Sequence, residues 1–112
     1  MRKLKLKINE KDYTLEMNRD TVKWLENYNF SLEEFTNKPV TYYDLLWTSL
    51  FLVNHKDVNP SLALKLMETY KESGKRPAKV IQFAIEEYKN FMNALADINS
   101  TENEEELEII EA

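Results

Sequence analysis

The sequence contains no cysteine, a single histidine, a single glycine and three prolines. Without a thiol there is no disulfide framework, no thiolate metal site and no cysteine nucleophile. A lone histidine cannot make a paired-imidazole metal site. His55, followed by Lys56 and Asp57, has no serine or cysteine arrangement pointing to it as a base, and it reads as a surface or helix-end residue. One glycine excludes the phosphate-cradling loop and the dinucleotide fingerprint together. No apolar run approaches the roughly 20 residues that a membrane-spanning helix needs; the longest nearly uncharged stretch, residues 39–55, holds Asp44. The N-terminus is basic but alternates in polarity, which is not the pattern of a secretory leader. These absences leave a protein expected to have no catalytic residues, no metal and no cofactor.

At 112 residues, one domain with a single core is expected. The net charge of -5 conceals a split: residues 1–96 carry 15 Lys and Arg against 13 Asp and Glu, whereas residues 97–112 carry seven acids and no base. Phosphate binding draws on cation contacts and counterion release, so an acidic segment of this kind disfavours nucleic acid as a partner.

Along the chain, Leu4, Leu6 and Ile8 alternate with Lys3, Lys5 and Lys7, and the alternation resumes at Tyr13, Leu15 and Met17. That is a two-strand pattern with one core-facing side, and Asn9 or Asp12 is expected to supply the left-handed turn residue. Two strands alone are marginal in water, so helices must cover them. A first helix follows Asn18, with Val22, Leu25 and Tyr28 inward and Trp24 flanking. Ser31 and Glu34 have capping-box spacing for a short second helix that ends before Pro39. Thr41 is expected to cap a third helix over residues 42–53. It is apolar almost all round and must be covered almost all round. Asn59-Pro60 starts a fourth helix that Gly74 ends, and a long fifth runs from about Pro77 to Ala96. The expected fold is mainly α: an N-terminal β-hairpin (about 1–17), then about five helices in a compact bundle over residues 1–96, and a disordered acidic tail over 97–112.

The carboxylate pairs Glu33-Glu34 and Glu86-Glu87 are sequence neighbours and diverge on a helix, so they read as solvated faces. Arg2, Lys3, Lys5 and Lys7 read as guards against edge-to-edge strand pairing, because no base-stacking aromatics interleave with them. Candidate partner-binding residues are Tyr42, Tyr43, Trp47 and Phe51, with Trp47 and Phe51 also the better core residues and the two tyrosines better placed for exposure. In the tail, Leu107, Ile109 and Ile110 among acids could order on a partner.

The stretch "LKINEKDYTLEMNRDTVKWLENYNF", followed by "YDLLWTSLFLV", resembles the small tail assembly chaperones of long-tailed phages that infect Gram-positive bacteria. Ile8, Asn9, Lys11, Tyr13, Leu15, Arg19 and Val22 carry the likeness, which covers residues 3–96; Glu10 departs from it, standing where a glycine is common. The resemblance implies a non-catalytic protein that binds and solubilises the tape measure protein during tail tube assembly, self-associates into a homo-oligomer, and acts in the host cytoplasm without entering the mature virion. The tail tube protein is then a candidate further partner, and neither nucleic acid nor membrane is expected. The alternative is a small phage regulator or host-protein-binding adaptor that uses its acidic tail.

Overall fold

In the computed structural model, which describes residues 2–96 and 108–111, strands β1 (Arg2–Ile8) and β2 (Lys11–Glu16) form an antiparallel hairpin. Helices α1 (Arg19–Asn27), α2 (Leu32–Asn37), α3 (Pro39–Ser49), α4 (Pro60–Glu72) and α5 (Pro77–Ala96) follow, and a short strand β3 (Glu108–Glu111) completes the sheet in the order β2-β1-β3. The mainly α architecture with a leading hairpin is the one its periodicities predict.

Register from Lys3↔Glu16 to Ile8↔Lys11 leaves Asn9 and Glu10 as a two-residue turn. Both have positive φ, 52° and 67°, as the primed turns that match strand twist require. Asn9 therefore supplies the left-handed residue as expected and Glu10 shares the role, while Asp12 lies in β2.

Helix starts follow their caps. The Asn18 side chain accepts the Thr21 N–H at 3.0 Å and Thr21 reciprocates, Ser31 accepts from Glu34, and Asn59 accepts from Leu62 ahead of Pro60. Gly74, at φ +89°, closes α4 in the left-handed conformation. The third helix departs from expectation. It begins at Pro39, where a missing N–H costs nothing; Lys38 precedes it without a side-chain cap, and Thr41 is an exposed residue of its first turn. It ends at Ser49, and residues 50–53 continue as turns.

Leu4, Leu6, Ile8, Tyr13, Leu15 and Met17 are buried against the helices, and α3 packs against α1, α2, α4 and α5. From Tyr42 to Ser49 the apolar side chains of α3 are thus buried or partly buried within the chain, whereas Val40 in its first turn is exposed. Trp47 sits at its centre with no exposure, its Nε1 donating to Ala63 O at 2.7 Å. Tyr28, expected inward, is 48% exposed at the C-terminal end of α1 and stacks on Trp24 with centroids 4.7 Å apart.

Two polar devices tie the hairpin to the helices. Arg2 Nε donates to Glu87 Oε2 at 2.7 Å and its Nη2 to Glu86 Oε1 at 2.9 Å, joining β1 to α5. On the opposite rim, the Thr14 N–H donates to His55 Nε2 at 2.9 Å, Asn54 Nδ2 donates to Thr14 O at 3.2 Å, and the Glu16 N–H donates to Leu50 O at 3.3 Å. The segment after α3 therefore satisfies the outward N–H groups of Thr14 and Glu16 and the Thr14 carbonyl. Residues 108–111, inside the stretch expected to be disordered, instead form β3, parallel to β1. The rest of the expected tail, residues 97–107, lies outside the described residues.

Candidate partner-binding surface

Among the described residues no group of three or more His, Asp or Glu could hold a metal ion, and no helix is long and apolar enough to cross a membrane. No buried side-chain nitrogen or oxygen among them lacks a hydrogen-bond partner, so none of these polar groups is left aimed at an absent ligand. What the described molecule offers is surface.

An apolar concavity lies where three helix ends meet, with a volume of about 640 Å³. Pro39, Val40 and Tyr43 from the start of α3 form one wall, and Met67 of α4 with Pro77 and Ala78 of α5 form the other. Lys71, Lys75 and Arg76 stand along it. Val40 is 75% exposed, the most exposed large apolar side chain among those described.

Tyr43 is half-buried, and burial, with the nearby Asp44 carboxylate adding to it, pushes its phenol above the ordinary tyrosine value. The phenol stays protonated near neutrality and remains a hydrogen-bond donor. Asp44 is itself held above the usual carboxylate range by burial first and by Glu68 second. The concavity thus combines apolar walls, one phenol and three cations, a chemistry suited to an amphipathic helix with acidic residues flanking its apolar stripe.

Of the residues singled out from sequence, Tyr43 alone lines this surface. Trp47 and Phe51 have no exposure and belong to the core. Tyr42, expected to be partly open, is 5% exposed, with its hydroxyl donating to Tyr28 O at 3.0 Å and its ring edge-on to Phe30. These three rings cannot reach a partner while the fold is intact, because the hairpin and helices already cover them. Ile109 and Ile110 lie in β3, with Ile110 partly buried against the core; Leu107 lies outside the described residues.

Sequence reasoning missed Pro39, Val40, Met67 and the cation trio. Its usable signal was an apolar residue directly after a helix-starting proline, opposite a cluster of bases around the only glycine. His55, read as a helix-end residue, turns out to be a structural acceptor. Its imidazole is held below its ordinary pKa, chiefly by burial and also by Lys11, with Asp57 opposing this. The neutral form is the one that can accept the Thr14 proton.

The described residues thus form a helical domain with a buried core, capped helices and an apolar, cation-lined concavity. The chain belongs to the family described as Domain of unknown function (DUF5055), whose profile matches residues 1–109. No curated protein and no solved structure matches it.

Proposed function

We propose that this chain is a non-catalytic tail assembly chaperone that binds a helical segment of the tape measure protein and keeps it dispersed until tube subunits replace the contact. The observation that carries the reading is the concavity of α3, α4 and α5, with Val40 and Tyr43 in its wall and Lys71, Lys75 and Arg76 along it. Such a client is long, helical and apolar along one stripe. A cradle with apolar walls shields that stripe, and the cations select clients whose flanking residues are acidic. Contact over so small an area is weak enough to be displaced. The likeness of residues 3–96 to the tail assembly chaperones supplies the client's identity.

The test is to express tape measure fragments with and without this chain and to measure soluble yield and complex mass by light scattering. The expected outcome is a soluble complex with the wild-type chain and loss of client solubility with Val40→Asp, a change on an exposed side chain that leaves the thermal unfolding midpoint within a few degrees. A client equally insoluble in the presence of the wild-type chain would overturn the proposal.

A further inference from the structure

We propose that the outer edge of β1 is a strand-capture site for an extended segment of a partner chain, one that sets acids around a bulky apolar residue, and that β3 is its resident competitor. The N–H groups of Thr14 and Glu16 point away from β1, toward His55 Nε2 and Leu50 O. Antiparallel pairs alternate in direction, so their partners Lys5 and Lys3 also turn their backbone groups outward, away from β2. β3 runs along that edge with Glu108 in register with Arg2, Ile110 with Leu4, and Glu111 with Lys5. In this mode of recognition the backbone ladder supplies affinity and the alternate side chains choose the sequence.

The occupant is smaller than the site in two respects. β1 has seven residues and β3 four, so among the described residues no strand covers the outer edge of residues 6–8. Ile110 also forms only one wall of a cavity of about 680 Å³ whose other apolar lining is Leu4, Tyr70, Val80 and Phe83. Among the described residues nothing else fills that volume. Lys75, Arg76 and Lys79 rim the cavity against one acid, Glu86, which is bonded to Arg2, and the first turn of α5 contains no acid. Cations are thereby concentrated where the helix dipole is already positive, which favours an anionic occupant. A partner segment with an aromatic or other large residue in the Ile110 place, acids on either side and further residues to pair with 6–8 would use all of these features. The site shares only Lys75 and Arg76 with the α3–α4–α5 concavity, so it stands or falls independently of the client contact proposed above.

The experiment uses the full-length chain and a fluorescent peptide of residues 105–111 carrying Ile110→Phe, with binding read by anisotropy. In the full chain, Ile110→Asp unseats β3, and the peptide is expected to bind this variant at least about tenfold more tightly than wild type, whose own strand competes at high effective concentration. Adding Glu108→Lys and Glu111→Lys to the peptide is expected to cost about tenfold or more in affinity. Equal binding to both chains, equal binding of the charge-reversed peptide, or no binding to a variant with unchanged circular dichroism would each overturn the proposal. Should Ile110→Asp unfold the chain, amide exchange of the wild type decides. The Lys3 and Lys5 amides, which face β3, are expected to exchange at least about tenfold faster than those of Leu4 and Leu6, which face β2. Equal protection overturns the proposal.

Discussion

Trp47 and Tyr43 lie four residues apart on one helix and answer to different demands. Trp47 is fully enclosed and bonded to Ala63 O, whereas Tyr43 is half-buried in the wall of an open concavity. Trp47→Ala is expected to cost about 3–5 kcal/mol in urea unfolding. Tyr43→Ala should change stability by no more than about 1 kcal/mol while reducing retention of the tape measure fragment. If both variants lost stability equally, Tyr43 would be a core residue and its surface role would fail. His55 gives a pH prediction whose sign follows from its environment. Its folded-state pKa lies below the unfolded value, so as pH falls the unfolded chain takes up the proton first. The neutral-imidazole contribution is complete at neutral pH and above, and it declines as pH drops below about 6.5 toward the depressed folded value. Unfolding midpoints from pH 7.5 down to 5 should fall more steeply for wild type than for His55→Gln. Parallel curves would contradict the acceptor role.

At the scale of elements, the hairpin turn carries a measurable weakness. Glu10 holds φ 67° beside Asn9 at 52°, and a non-glycine side chain in the left-handed region costs about 1–2 kcal/mol. Glu10→Gly should therefore stabilise the protein by about 1 kcal/mol in chemical denaturation, and a neutral or destabilising result would mean that the Glu10 side chain offsets the strain. The turn, Asn18, Ser31, Asn59-Pro60 and Gly74 were all legible because each signal acts on its own neighbours. Thr41 misled because two starts competed and Pro39, two residues earlier, won. Residues 108–111 were illegible for a different reason. Four residues with two acids give no strand pattern by themselves, and it is β1, more than a hundred positions away, that supplies their ladder.

Across the whole molecule, sequence periodicity identified the core well. It did not identify the candidate binding surface, which is assembled from helix ends distant in sequence and has no period. Tyr42 shows the limit: its place at a helix start suggested exposure, and only the approach of residues 28–30 buries it. The hairpin and helices are held together at one corner by Arg2, which meets a nearly buried Glu87 and an exposed Glu86. Burial opposes the guanidinium's charge, but the two carboxylates outweigh it and raise its pKa. Arg2→Met keeps the stem and strands the Glu87 carboxylate. Since Arg2 is itself partly open to water, the expected loss is about 1–3 kcal/mol rather than the full penalty of a buried unpaired charge. Adding Glu87→Gln should recover much of it, and no recovery would indicate that Arg2 acts through its packing over Phe83 at 5.3 Å.

The stapling of β2 by Asn54, His55 and the Leu50 carbonyl has a consequence for assembly. Head-to-tail polymerisation through sheets requires every subunit to offer both a giving and a receiving rim. In this subunit the outward groups of Thr14 and Glu16 are spent internally, so that part of the rim is not open to backbone pairing with a second copy.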